Sequence, residues 1–152
     1  MTEFRLLGPV QLHAAGQLVD LGPPKQRAAF AVLAVDSGRP VPLQTLVDRI
    51  WGDTAPAQAR SAVYVYITHL RRAVARASAS DRYAARLARV AGGYQLDVDP
   101  LRVDLHRFVR CTARARGADL TDEQTVVLLR EALELWRGEP LAGVPGAWAD
   151  RM

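Results

Sequence analysis

The longest predicted helix spans residues 56–77, with the sequence PAQARSAVYVYITHLRRAVARA. At about 100° per residue, its apolar side chains fall on one stripe, which we expect to face a core. The members of this stripe are Ala59, Val63, Ile67, Leu70 and Val74. The opposite face carries Ser61, Tyr64, Val65, Thr68 and Arg72. This face carries small, hydroxyl-bearing and basic side chains. The other predicted helices and strands precede or follow this helix in the chain.

The N-terminal residues 4–21 are predicted to be β structure, because apolar and polar side chains alternate there. Gly8-Pro9 interrupts the alternation. Residues 14–17 have the composition of a turn, and a second strand is expected at 18–21. The sequence therefore predicts a small sheet at the start of the chain.

Two shorter helices are expected between this sheet and the long helix. Apolar residues at helical spacing predict them at 24–36 and 42–51. Gly38 and Gly52 follow them and are typical of helix ends.

A β-hairpin is predicted after the long helix, with strands at 86–90 and 94–98 joined by a turn that contains Gly92 and Gly93. Residues 1–99 therefore have the order ββ-α-α-α-ββ. This is the order of an α+β winged helix-turn-helix that has an N-terminal β-sheet and a C-terminal hairpin wing.

The composition changes at residue 100, and we assign 1–99 and 100–152 to two domains. Asp104 is expected to cap a helix at 105–117. Thr121 and Gln124 have the spacing of a capping box, which predicts a second helix at 122–137. The expected apolar face of this second helix is Val126, Leu129, Leu133 and Trp136. Two such antiparallel helices are typical of one unit of a helical repeat array.

The second domain is expected to be incomplete, because the chain ends soon after one helical hairpin. We interpret residues 140–152 as an unfinished element. The hairpin either docks on the first domain, at the N-terminal sheet or the base of the wing, or uses its spare apolar face to self-associate. We favour docking because Asp99-Pro100 leaves almost no flexible linker.

Positive charge is concentrated in the middle of the chain. The net charge is +4, from 20 basic and 16 acidic residues. Residues 54–90 hold seven arginines and a single acidic residue, Asp81. A local excess of arginine is expected of a protein that binds a phosphate backbone. The alternative is a solvated helix face in an arginine-rich protein.

Several other classes of function are not supported by the residues. His13, His69 and His106 are scattered and Cys111 is alone, so we expect no metal site and no disulfide. The sequence has no phosphate-binding glycine loop and no Ser-His-Asp order, so we expect neither a cofactor nor an enzyme. We find no signal peptide and no membrane segment, and we expect a cytoplasmic protein.

Six segments of the chain together resemble a known family. In the first domain they are LGPPKQR at 21–27, LVDRIWG at 46–52, SAVYVYITHLRRAV at 61–74 and GY at 93–94. In the second domain they are VDLHRF at 103–108 and LWRGEPL at 135–141. Their order and spacing resemble the SARP family, the Streptomyces antibiotic regulatory proteins. Its members combine an OmpR-type winged helix with a bacterial transcriptional activation domain of tetratricopeptide-like helices.

The resemblance implies a transcriptional regulator that activates a secondary-metabolite (antibiotic) biosynthetic gene cluster. It implies double-stranded DNA with direct repeats as a partner, bound by tandem protomers, and RNA polymerase holoenzyme as a second partner. The protein is then expected at the nucleoid. The alternative is a protein-interaction or regulatory fragment that acts mainly through the helical hairpin.

The long helix is the element that we expect in the major groove, where each base pair shows a distinct pattern of donors and acceptors. The candidate DNA-binding residues are Arg60, Ser61, Tyr64, Val65, Thr68, His69, Arg71 and Arg72 on this helix, with Arg86 and Arg89 on the wing. Lys25 and Arg27 are equally consistent with a phosphate contact and with solvation. In related folds the loop at 52–57 faces RNA polymerase, so Asp53 and Thr54 are weaker candidates for that contact.

Overall fold

The computed structural model describes all residues from 1 to 152. Its strands are β1 (Thr2–Arg5), β2 (Gln11–Ala14), β3 (Gln17–Val19), β4 (Arg86–Val90) and β5 (Gly93–Asp97). Its helices are α1 (Pro24–Val35), α2 (Leu43–Trp51), α3 (Ala59–Ala77), α4 (Asp104–Ala115), α5 (Asp122–Glu134) and α6 (Ala147–Asp150). No helix combines the length and the apolar character that a membrane crossing needs.

The N-terminal sheet is antiparallel and has three strands in the order β1-β2-β3, where the sequence predicted two strands. The additional strand arises because Gly8, with a φ of +144°, and Pro9 divide the first predicted strand into β1 and β2. The predicted turn before β3 is confirmed, and its central residues Ala15 and Gly16 both have positive φ. β3 ends at Val19, two residues before the predicted end.

The winged helix is assembled around one apolar core. All five predicted core residues of α3 are buried there: Ala59, Val63, Ile67, Leu70 and Val74. β1 joins the same core through Phe4, whose ring stacks on that of Phe30 in α1 with centroids 5.6 Å apart. α3 begins at Ala59 rather than at Pro56, because a turn precedes it in which the Ala59 N–H donates to the Pro56 carbonyl. β4 and β5 pair as the predicted hairpin and pack beside α3.

Asp104 does not cap α4, contrary to the prediction, since Val103 is the N-cap residue and Asp104 is the first helical residue. Its buried carboxylate accepts the backbone N–H groups of Leu6 at 2.7 Å and Leu7 at 3.0 Å. These amides follow β1 and are buried, so they need an acceptor from elsewhere in the chain. Asp104 therefore fixes the second helical region to the N-terminal sheet.

The capping box of α5 is confirmed, because Thr121 and Gln124 bond to each other's backbone N–H groups. The predicted apolar face is wrong: the buried side chains of α5 are Leu128 and Ala132. The residues of the predicted stripe are instead between 39% and 68% exposed. They are Val126, Leu129, Leu133 and Trp136. Trp136 lies after the end of α5 and meets the ring of Phe108 edge to face, at 5.3 Å. α4 is the one helix packed along α5, and it covers a single side.

The tail, interpreted from sequence as an unfinished element, is packed into the core of the fold. The backbone N–H of Arg137 donates to the Leu7 carbonyl at 2.8 Å, and that of Leu141 donates to the Leu6 carbonyl at 2.9 Å. Leu141, Val144 and Ala149 belong to the same buried cluster as the winged helix. α6 packs on α2, with the Arg49 guanidinium 5.4 Å from the ring of Trp148. The hairpin is thus docked on the N-terminal sheet, as we expected.

A second polar junction ties the start of the chain to the region after the wing. The mostly buried carboxylate of Asp81 accepts the Thr2 backbone N–H at 3.0 Å and an Arg102 N–H at 2.7 Å. Hydrogen bonding from Thr2 and the positive charge of Arg102 hold the pKa of Asp81 below its ordinary value, against the opposing effect of burial. This carboxylate joins β1, the loop after α3 and the turn at Pro100–Arg102.

Candidate nucleic-acid interface

One face of α3 is open to solvent over most of its length, and every candidate residue on α3 lies exposed. These residues are Arg60, Ser61, Tyr64, Val65, Thr68, His69, Arg71 and Arg72. Tyr64 is 47% exposed and Val65 is 51% exposed. An exposed valine on a polar helix face is available for an apolar contact such as a thymine methyl group.

The polar side chains on this face differ in whether they already form hydrogen bonds or ion pairs within the chain. The Thr68 hydroxyl donates to the Tyr64 carbonyl at 3.0 Å, which leaves its oxygen as an acceptor. The side chain of Arg72 forms neither a hydrogen bond nor an ion pair within the chain and is exposed. Its five N–H donors are therefore available to phosphate or base oxygens.

Two of the candidate DNA-binding arginines also connect α3 to its neighbours. Arg60 donates to Gln44 Oε1 of α2 at 2.7 Å. The Nε of Arg71 donates to the Leu87 carbonyl of β4 at 3.2 Å and so holds the wing against α3. For Arg71 a structural role is present whether or not it contacts DNA.

A cleft of about 270 Å³ lies between α3 and the first strand of the wing. It is lined by three arginines, Arg71, Arg86 and Arg89, and by no acidic residue. Arg86 and Arg89 are exposed. Because three arginines and no acidic residue line this cleft, its potential is positive and suits an anionic ligand such as a phosphate.

His69 has a partner that the sequence analysis did not assign. Its Nδ1 lies 3.0 Å from Oε1 of Gln26, a buried side chain of α1. Gln26 shares helical spacing with the core residues Ala29 and Leu33. A glutamine on the core face of an apolar helix is a recognisable signal, since a buried amide needs partners.

The other assigned residues are placed around the start of α3. Lys25 lies over the ring of Trp51 with its Nζ 5.4 Å from the centroid, and Trp51 stacks on Tyr66. Asp53 and Thr54 are exposed in a single 3-10 turn between α2 and α3. They are accessible, and their predicted contact with polymerase stays a prediction.

A three-stranded N-terminal sheet, three helices with a long exposed third helix and a hairpin wing define an OmpR-type winged helix-turn-helix. Residues 16–96 match the family described as "Transcriptional regulatory protein, C terminal". Residues 103–151 match the family described as "Bacterial transcriptional activator domain". The chain belongs to the SARP family, which consists of transcriptional regulators and not of enzymes.

Related proteins share both parts of the chain. "Regulatory protein DnrI" of Streptomyces peucetius is 35% identical over 147 residues, which are 93% of this chain and 54% of DnrI. "Transcriptional regulator RedD" of Streptomyces coelicolor is 35% identical over 91% of this chain and 40% of RedD. The chain thus spans about half or less of the length of these relatives. The solved structure "Mycobacterium tuberculosis EmbR in complex with low affinity phosphopeptide" has a TM-score of 0.80 at 34% identity, over 94% of this chain and 38% of that one.

Proposed function

We propose that this chain binds double-stranded DNA in a sequence-specific manner, through α3 in the major groove and the wing on the adjoining backbone. The observation that carries the proposal is the exposed face of α3. It presents hydroxyl, imidazole, methyl and guanidinium groups side by side, next to a cleft lined by arginines. A core stripe behind it holds the helix in place.

The dimensions of α3 fit this role. Its 19 residues form a rod about 28 Å long, and the major groove of about 12 Å admits a helix of this kind. Val65, Thr68 and His69 lie on the exposed face and are proposed to meet base edges. Arg60 and Arg72 are proposed to bind phosphates, which contribute affinity without sequence information.

The wing is proposed to bind the DNA backbone through the arginine-lined cleft. Arg86 and Arg89 supply two exposed charges, while Arg71 fixes the distance between β4 and α3. A phosphate in this cleft would meet guanidinium groups from two elements, and such charge-assisted contacts are among the stronger hydrogen bonds.

The wider role follows from the family and is likewise a proposal. The whole protein is proposed to act in the cytoplasm at the nucleoid as an activator of an antibiotic biosynthetic gene cluster. It would bind direct repeats as tandem protomers and contact RNA polymerase holoenzyme near Asp53 and Thr54. Residues 1–99 would form the DNA-binding domain, and 100–152 the N-terminal part of the activation domain.

A second candidate function is a protein interaction through α5. Its specific support is the exposed apolar stripe of Val126, Leu129, Leu133 and Trp136. If a partner protein binds the Leu133→Ala variant as tightly as it binds the unmodified chain, this stripe is excluded as the contact.

DNA binding is tested by fluorescence anisotropy with a duplex selected from a random pool and with an unselected duplex, at about 50 and 200 mM salt. We expect the selected duplex to bind more tightly and both affinities to fall steeply with salt. Arg72→Ala should weaken binding to both duplexes and lower the salt slope by about one. The matched control is Arg130→Ala, an exposed arginine of α5, which should change neither quantity. Equal affinities with no dependence on salt would contradict the proposal.

A further inference from the structure

A chain of hydrogen bonds runs from the backbone before α1 to the exposed face of α3. The Nε2 of Gln26 donates to the Leu21 carbonyl at 3.0 Å. The Oε1 of the same amide lies 3.0 Å from Nδ1 of His69. Gln26 is 7% exposed, whereas His69 is exposed. The buried amide therefore connects a fixed backbone group to a side chain on the proposed DNA-binding face.

The first bond fixes the orientation of the Gln26 amide. A carbonyl oxygen such as that of Leu21 only accepts hydrogen bonds, so the NH₂ end of the amide must face it. Turning the amide over would place two oxygens against each other at the Leu21 end. The Oε1 of Gln26 must then point at His69.

The second bond fixes the proton on the imidazole ring. Because Gln26 Oε1 is an acceptor, Nδ1 of His69 must carry the hydrogen. Turning the ring over would bring a carbon atom to this position and leave the Gln26 oxygen without its donor. In the neutral ring the proton is thereby excluded from Nε2, which has a lone pair and is an acceptor.

A separate observation indicates that the site is shaped around this amide. Gly22 has a φ of +84°, and a Cβ at this position would collide with Nε2 of Gln26. The absent side chain leaves the space that the amide occupies. Gly22 also belongs to the LGPPKQR segment that contains Gln26.

We propose that Gln26 is a positioning residue that holds His69 as the Nδ1–H tautomer, and that Nε2 of His69 accepts a hydrogen bond from an exocyclic amino group of the DNA. This inference rests on the proposed DNA binding. In the major groove the amino donors are adenine N6 and cytosine N4, whereas guanine and thymine present acceptors there. His69 thus favours an adenine or a cytosine at one position of the binding site.

The tautomer is measured in the 152-residue chain without DNA, by long-range ¹⁵N–¹H correlation of the imidazoles at an alkaline pH that keeps them neutral. The expected result is an Nδ1–H tautomer for His69, with His13 as an internal reference in the same spectrum. Gln26→Leu removes the acceptor and should move His69 toward the Nε2–H tautomer that free imidazoles favour. An Nε2–H tautomer in the unmodified chain would overturn the proposal.

Base recognition is tested with His69→Gln and His69→Asn, two changes at an exposed site that leave Gln26 intact. A glutamine amide reaches the position of Nε2, whereas an asparagine amide reaches only that of Nδ1. With a duplex selected from a random pool, each base pair is then changed in turn. At one position the wild-type chain should prefer adenine or cytosine by about fivefold to tenfold, the lower end of the range for a base contact.

His69→Gln should keep this preference and His69→Asn should lose it to within about twofold. Deleting the amino group at that position, with purine in place of adenine or 2-pyrimidinone in place of cytosine, should weaken the wild-type complex as much as His69→Asn does. Preferences that are the same in all three proteins would overturn the base contact. If no duplex is bound selectively, the proposed function fails, while the tautomer measurement still decides whether Gln26 positions His69.

Discussion

α3 and α5 are both amphipathic helices, yet only α3 buries the stripe that its sequence predicts. In α3 all five predicted core residues lie in the shared core, with Val63 and Leu70 fully buried. In α5 the predicted stripe stays in contact with solvent, and Leu133 is 68% exposed. α1, α2 and β4 pack around α3, whereas α4 alone packs along α5.

The comparison shows that a hydrophobic pattern identifies a surface that gains from burial, but not whether a partner is present to bury it. Helical periodicity is a property of a local window, while burial depends on elements that are distant in the chain. α5 has two candidate faces, and the face packed on α4 contains Leu128 and Ala132.

The largest expected effect contrasts these two helices directly. Ile67→Ala in α3 should lower the free energy of unfolding by roughly 2–5 kcal/mol, because it leaves a cavity in a closed core. Leu133→Ala in α5 should change it by no more than about 0.5 kcal/mol, because that side chain is already largely hydrated. Urea denaturation of both variants measures the difference. Similar losses in the two variants would show that the stripe on α5 is buried in solution.

The second prediction concerns the junction between the two regions. Asp104→Ala should cost roughly 2–4 kcal/mol, because it leaves two buried backbone N–H groups without an acceptor. The whole chain should still unfold in one transition, since Leu141 and Ala149 share the core of the winged helix. Asp119→Ala, an exposed loop position, is the control and should change little. Two separate calorimetric transitions in the unmodified chain would mean that the regions are independent.

The winged helix could be predicted well from sequence because its signals are local: the α3 stripe, the hairpin turn and the glycines after α1 and α2. The role of Asp104 could not be predicted from sequence, because its hydrogen-bond partners, Leu6 and Leu7, lie almost one hundred residues away in the chain. The packing of the tail, residues 140–152, could not be predicted for a similar reason. Leu141 and Val144 lie in a segment rich in glycine and proline without periodicity, and they are buried by contacts that only the fold supplies.

For the same reason, only part of the candidate DNA-binding site could be predicted from sequence. An exposed face of α3 follows from periodicity, and the structure leaves every assigned side chain on it accessible. The bonds from Arg71 to Leu87 and from His69 to Gln26 join elements that are distant in sequence, so spacing alone did not indicate them.

The third prediction concerns stability in acid. The pKa of Asp81 is lowered in the folded chain, so its ionised form contributes stability above the unfolded-state value. This contribution should be lost as the pH falls below about 4, the pKa of an aspartate in the unfolded chain, and then through the lower pKa of Asp81 in the folded chain. Asp81→Asn should cost about 1–2 kcal/mol at neutral pH and reduce the slope of stability against pH in this range. The same acid slope in both proteins would assign the pH dependence to other groups.

The smallest expected effect on stability is in the wing. Replacing Arg86 and Arg89 by alanine should change the free energy of unfolding by less than about 0.5 kcal/mol, because exposed charges contribute little to folding. The same double variant should bind duplex DNA more weakly and with a lower salt slope. Arg110→Ala with Arg114→Ala, on the exposed face of α4, is the matched control and should leave DNA binding unchanged. Unfolding of the wing variant together with normal affinity would assign these arginines a structural role.

The most direct test of DNA binding by α3 is a ¹H–¹⁵N titration of the labelled chain with a selected duplex. We predict that the largest backbone shift changes fall in residues 59–77 and 86–97, and that residues 104–134 change little. Changes concentrated in 104–134, with α3 unaffected, would contradict the assignment of α3 as the element that reads DNA.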